Sequence, residues 1–174
     1  MVAVADGVGG WATQGVDPGI YSRKLCSGAL DLVKANAEAY LKDPQGLMKE
    51  SWSLVQELGS STLVLLTLPQ DEPKIHVSMV GDSGYLILRN SSSDTTQPEF
   101  NLQFESQPQQ KGFNFPYQLG WAENGDSPED AIQSSHLVKD GDLLILGTDG
   151  VFDNLSGDQV NFFNCREIEF FVFR

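Results

Sequence analysis

The chain has 174 residues, 40% of them hydrophobic, which fits one domain with a single core. Eleven Lys and Arg against 24 Asp and Glu leave a net charge of −13, which excludes the sequence-independent attraction to phosphate backbones or anionic lipid surfaces that marks nucleic-acid binders. The apolar runs at residues 63–68 and 143–146 fall far short of the roughly 18 residues that a membrane-spanning helix needs.

Cys26 and Cys165 are too few and too far apart for a metal clamp or a disulfide framework, so a reducing compartment fits. No targeting signal is readable in MVAVADGVGG. Val2, Ala3, Val4 and Ala5 predict a short buried strand that stops at Asp6 and a glycine cluster. A buried strand at the very start predicts further chain upstream, because termini normally fray at the surface.

Asp17-Pro18 predicts a helix start, with Asp as the cap and Pro at the first helical position. Tyr21, Leu25, Ala29, Leu32, Val33, Ala37, Tyr40 and Leu41 then form one apolar stripe opposite Lys24, Asp31, Lys34 and Glu38. Asp43-Pro44 repeats the start signal, and Leu47, Met48, Trp52, Val55 and Leu58 extend the second helix to a stop at Gly59. Residues 62–68 predict a strand, paired through a short connection with the alternating strand of Ile75, Val77 and Met79. Gly81-Asp82-Ser83-Gly84 predicts a tight turn into a third strand at residues 85–89, making a meander. Residues 100–104 alternate again, residues 105–135 read as mostly turn-rich and polar around an apolar segment at 113–119, residues 143–146 predict a buried strand ending at Asp149, and Ser156 predicts a cap for a last helix.

Two strands therefore end in Asp-Gly, at Asp6-Gly7 and Asp149-Gly150. If both ends lie at one edge of the fold, their carboxylates converge and need a cation to offset repulsion and desolvation. Oxygen donors with no His or Cys nearby suit Mg²⁺ or Mn²⁺ rather than Zn²⁺. Asp82 and Asp153, in similar turns, extend the candidate site; the alternative is that each Asp merely turns the chain beside a Gly. GVGGWA at residues 7–12 matches the dinucleotide fingerprint in form, but the helix signals wait until Asp17, so the phosphate-binding helix start is missing. Ser83 lies in a GDSG segment like that of serine proteases, yet the His76 and His136 neighbourhoods do not fit such a triad and both imidazoles read as structural. Trp11, Trp52 and Trp121 read as core or loop anchors.

Four ordered segments, ADGVGGW at residues 5–11, GSSTLVLL at 59–66, VSMVGDSGYLIL at 77–88 and LLILGTDGVFDNLS at 143–156, resemble the metal-dependent PPM phosphatases, also called the protein phosphatase 2C family. DGVGGW, the DPGIYS segment at residues 17–22 and FNFPYQL at 113–119 resemble the organellar branch, which includes mitochondrial matrix phosphatases, more than the DGHGG-bearing members. The resemblance implies an α+β, four-layer αββα sandwich of two antiparallel sheets flanked by helices, here incomplete. It implies that Asp6 bridges two Mn²⁺ or Mg²⁺ ions, that the Gly7 carbonyl shares that shell and that Asp149 binds the second ion. Asp82 and Asp153 match positions that hold a weaker third ion in some relatives, or orient water. The implied reaction is hydrolysis of phosphoserine and phosphothreonine on protein substrates by a metal-activated water, in the mitochondrial matrix, another organelle or the cytoplasm; the oligomeric state is left open.

Three departures bear on that reading. Val8 stands where many relatives carry the histidine of DGHGG, so leaving-group protonation falls to water. The acidic strand and phosphate-binding Arg that the family places upstream are not in this chain, and neither is the Asp expected downstream. Residues 1–160 accordingly read as a partial phosphatase domain and 161–174, crowded with phenylalanines, as an atypical tail. A catalytically impaired phosphatase-like binding module or fragment is the competing reading, and a dinucleotide-binding enzyme is third.

Overall fold

The computed structural model describes residues 1–92, 99–120 and 125–154, and the backbone of residues 171–172. Strand β1 (Val2–Val4) leads through Asp6 into a 3-10 helix (Gly9–Gln14) and then α1 (Pro18–Ala35). The Asp17 side chain caps α1 by accepting from the Gly19 N–H at 2.9 Å, with Pro18 at the first position, as the residues predict.

The long first helix expected up to Leu41 is divided at Asn36. The Asn36 N–H donates to the Leu32 carbonyl at 2.9 Å, closing α1, while its side chain accepts from Ala39 N–H and starts the short α2 (Ala37–Tyr40). An Asn side chain competes with the backbone for such bonds and favours a boundary over a helix interior. Helix α3 (Pro44–Ser53) starts on its Asp43 cap but stops short of the expected Gly59. Leu58, expected on its apolar stripe, is exposed.

Strands β2 (Ser60–Ser61), β3 (Leu63–Thr67) and β4 (Lys74–Val80) follow, and β3 and β4 form the expected hairpin, Leu63 opposite Val80 and Thr67 opposite His76. The expected meander ends there. β5 (Gly84–Asn90) does not pair with β4: residues 81–83 carry the chain into a second sheet. Gly81 sits at φ 103°, and a Cβ there would come within 2.6 Å of the Thr62 methyl, so the corner requires glycine. β6 (Phe100–Glu105) pairs with β5. Residues 105–135, expected to be mostly turns around the apolar 113–119 segment, also hold β7 (Gln110–Gly112), β8 (Phe115–Pro116), β9 (Leu119–Gly120) and the start of β10 (Ile132–Leu137). β10 lies at a sheet edge and is largely exposed, so IQSSHL carries no apolar alternation to announce it. β11 (Leu143–Gly147) runs into the one-turn α4 (Asp149–Phe152) and pairs with β5 and with β12 (Phe171–Val172). The expected helix after Ser156 and the rest of the tail lie outside the described residues.

Two antiparallel four-stranded sheets result, ordered β1-β3-β4-β10 and β12-β11-β5-β6. Alternation along β3 builds two cores at once. Leu63 and Leu65 face Tyr21, Leu25, Ala29, Leu47 and Met48 of α1 and α3. Val64 and Leu66 join Val77 and Met79 against Tyr85, Ile87 and Leu144 between the sheets. The architecture is α+β, with helices outside one sheet and the second sheet packed on that sheet's inner face.

Candidate metal centre

Asp6 follows β1 of the first sheet, Asp149 follows β11 of the second, and Asp82 sits in the crossing that joins β4 to β5. The fold brings these three into mutual electrostatic range. Burial first, then the adjacent Asp149 carboxylate, and then Asp82 raise the Asp6 carboxyl above its ordinary range. A bond from the Thr148 hydroxyl acts in the opposite direction without cancelling them. Asp82 is likewise raised, by burial and by Asp149 and Asp153, against stabilising bonds from its own N–H and the Gln110 side chain. Asp153, one turn beyond Asp149, is exposed and reaches the cluster through Asp82.

The Asp6 loop is held by hydroxyls that the sequence reading did not single out. Thr62 Oγ1 accepts from Asp6 N–H at 3.1 Å, Ser61 Oγ donates to the Asp6 carbonyl at 2.8 Å, and Thr62 N–H donates to the same carbonyl at 3.0 Å. Val8 N–H donates to Ser60 O at 3.0 Å, so Gly7 faces Ser61 at a non-hydrogen-bonded position and its own carbonyl stays out of the ladder. Thr62 Oγ1 is also 2.7 Å from Ser83 Oγ, tying the Asp6 loop to the Asp82 corner. The signal for this bracket is the polar triplet Ser60-Ser61-Thr62 opening an otherwise apolar strand.

Among the described residues, the ion pairs involve other carboxylates, and Asp6, Asp82, Asp149 and Asp153 have no Lys, Arg or His partner. Clustered carboxylates with no cationic side chain, and only oxygen donors at hand, suit a hard divalent ion. Among the described residues, no three His, Cys, Asp or Glu side chains close into a metal-sized group, so the couplings run in pairs.

The other candidates fall into structural roles. Ser83 is fully buried on Thr62 and has no histidine partner. His76 bonds Glu72 and Ser135, each at 3.0 Å, and His136 Nε2 bonds the Tyr85 hydroxyl at 2.8 Å beside the Phe104 ring. Trp11 Nε1 donates to Ser60 Oγ at 2.6 Å and Trp52 Nε1 to Gly120 O at 3.0 Å, while Trp121 lies outside the described residues. The Gly9-Gly10 turn opens a 3-10 helix rather than α1, and every pairing in the two main sheets is antiparallel, so the dinucleotide geometry is not formed.

No family model matches the chain. It is 36% identical over 159 residues to the probable protein phosphatase 2C 55 of Arabidopsis thaliana, covering 91% of this chain and 32% of that protein. It is 35% identical over 167 residues to the protein phosphatase PTC7 homolog of Danio rerio, covering 89% and 53%. The structure is similar to that of the photosystem II phosphatase PBCP, with a TM-score of 0.80 and 30% identity over 91% of this chain and 58% of that one. The catalytic domain of the serine/threonine phosphatase PstP, solved with two manganese ions, shares the fold at a TM-score of 0.63 and 16% identity, covering 91% and 71%. The chain thus spans between a third and about half of these two curated relatives. Over about nine-tenths of its length the chain is similar to proteins named as members of the protein phosphatase 2C family.

Proposed function

We propose that this chain carries part of the centre of a metal-dependent protein phosphatase that hydrolyses phosphoserine and phosphothreonine. The observation that carries the reading is the pairwise coupling of Asp6, Asp82 and Asp149 across two sheets, with no Lys, Arg or His ion-paired to them among the described residues. Asp6, the Gly7 carbonyl and Asp149 would hold two Mn²⁺ or Mg²⁺ ions, with Asp82 and Asp153 at a weaker third position or orienting water. When bound, such ions offset the carboxylate repulsion, lower the pKa of water and neutralise charge on the phosphoryl oxygens. The chain's own part is positional: Ser61 and Thr62 fix the Asp6 backbone, and Thr148 orients its carboxylate. Val8 supplies no acid, so the proton for the departing hydroxyl comes from water.

Similarity to proteins named PTC7 homolog supports the organellar branch, and with it a mitochondrial or other organellar compartment. Among the described residues no helix is long and apolar enough to cross a membrane. The second reading, a phosphatase-like module that binds phosphoproteins without hydrolysing them, is favoured by the pairwise rather than three-way closure of the acids. Calorimetric titration with Mn²⁺ and turnover of a phosphothreonine peptide separate the two. Two-site micromolar binding with turnover that Asp149→Asn abolishes supports the enzyme. Turnover unchanged in Asp149→Asn removes that reading, and absence of both binding and turnover favours the module.

A further inference from the structure

Beside the acid cluster stands a small hairpin made of β7 and β8, with Phe113 and Asn114 at its tip and Asn114 at φ 51°. Phe113 is 102% exposed, the highest value among the exposed large apolar side chains of the described residues, and Phe115 is 53% exposed. Single apolar side chains on a surface need no explanation. Here two rings share one hairpin whose root is tied to the Asp82 corner. Gln109 N–H donates to Gly81 O at 2.8 Å, Gln109 Oε1 accepts from Gly81 N–H at 3.2 Å, and the Gln110 side chain bonds Asp82. Lys111 is held to Asp126 at 2.6 Å, with its ammonium 4.9 Å from the Tyr117 ring centre and 5.9 Å from that of Phe115. The hairpin's root is thus tied to the Asp82 corner and Phe115 lies beside Lys111, while Phe113 at the tip presents open apolar surface.

We propose that this hairpin is a specificity element, and that its occupant is an extended phosphorylated segment of the protein substrate with a bulky apolar residue on Phe113 and Phe115; this rests on the phosphatase reading above. Two observations choose that occupant. Gln110 bonds Asp82 and Phe113 is three residues further along, at most about 10 Å of chain, and an extended peptide covers the same span in up to three residues. The apolar residue therefore sits about three positions from the phosphorylated one. The surroundings also offer acidic neighbours little attraction: the Lys111 charge is taken up by Asp126 and that of Lys49 by Glu129.

The test uses p-nitrophenyl phosphate and two fluorescein-labelled phosphothreonine peptides that differ only in Leu or Ser three residues from the phosphothreonine on each side, all with Mn²⁺, on the full chain and on Phe113→Ser. The expected result is a kcat/KM about tenfold higher for the Leu peptide with the parent chain, the gain from partial burial of one leucine. In Phe113→Ser that ratio falls to within twofold, with p-nitrophenyl phosphate turnover unchanged. Equal rates for the two peptides with the parent chain, or a preference that survives Phe113→Ser, overturn the proposal while the phosphatase reading stands. If none of the three substrates turns over, the phosphatase reading fails. Anisotropy of the labelled peptides then decides the docking separately: tighter binding of the Leu peptide that Phe113→Ser removes supports it, and equal binding overturns it.

Discussion

Gly7→Ala offers a sharp test of how the Asp6 loop is held. A Cβ at position 7 would overlap the Pro18 carbonyl oxygen, with Pro18 C at 2.5 Å and Gly19 N at 3.2 Å. Ordinary contacts need about 1 Å more, so either α1 or the loop must move. Pro18 begins a helix anchored by buried Tyr21, Leu25 and Ala29, so the loop is the softer side. Moving it strains the Val8–Ser60 and Thr62–Asp6 backbone bonds, both 3.0 Å. Two bonds at roughly 1 kcal/mol each give a loss of about 2 kcal/mol, within the range for overpacking. In a chain of this size the melting temperature should fall by roughly 4–8 °C. A 1 Å displacement at Asp6 should also cost about 100-fold in any turnover that depends on it. Urea unfolding with EDTA and Mn²⁺ titration measure the two effects. Gly9→Ala is the control, since nothing lies within 4 Å of a Cβ there. A Gly7→Ala protein as stable as the Gly9→Ala control, with unchanged Mn²⁺ binding, would refute the packing argument.

Two further predictions concern charge. Asp6 and Asp82 have folded-state pKa values raised by burial and by neighbouring acids, so the stability they contribute is present below the unfolded value and lost as pH rises through the folded one. At neutral pH in EDTA, Asp6→Asn should therefore melt higher than the parent chain and lose the melting shift produced by Mn²⁺; a lower melting temperature in EDTA contradicts this. Burial raises the Asp142 carboxyl, but bonds from Arg89 at 2.6 and 2.9 Å and from Lys139 N–H outweigh it and leave the group below its ordinary range. Its stabilisation is present above the unfolded pKa and lost as pH falls through the folded one. Arg89→Met should cost about 2–3 kcal/mol at pH 7, because Asp142 stays buried with only the Lys139 N–H and no counter-charge, and the gap to the parent chain should shrink towards pH 3.5 in urea unfolding. A gap constant from pH 7 to pH 3.5 excludes the ion pair as its cause.

The parts of this fold legible in the sequence are those governed by local chemistry. Asp17-Pro18 and Asp43-Pro44 announce helix starts because cap and ring act within one turn, and the alternation of β3 and β4 shows which side chains face which core. The crossing at residues 81–83 was not legible, because a Gly-Asp-Ser-Gly corner looks the same whether the next strand returns to its neighbour or enters another sheet. β10 leaves no signal in the sequence because an exposed edge strand has no apolar face to repeat. At the candidate centre, the acids at strand ends are legible, whereas the bracket shows only as the polar triplet Ser60-Ser61-Thr62, without its partners, and Thr148 does not show at all. A hydroxyl's partner is set by tertiary contact, and nothing in the spacing of these residues records it.

The division of the acids between two sheets has a thermodynamic consequence. Asp6 belongs to one sheet and Asp149 to the other, so their mutual repulsion arises only when Val64, Leu66, Val77 and Met79 close on Tyr85, Ile87 and Leu144. Apolar burial, at roughly 25 cal/mol for each Å² removed from water, drives the sheets together and forces the carboxylates into range. A cation bound between them therefore acts on the same closure as the core does, stabilising the sandwich by mass action with its affinity for the closed state. Sheet closure and the assembly of the acidic cluster are thus one equilibrium, and a substitution that loosens the inter-sheet core should weaken divalent-ion binding even where it touches no acidic residue.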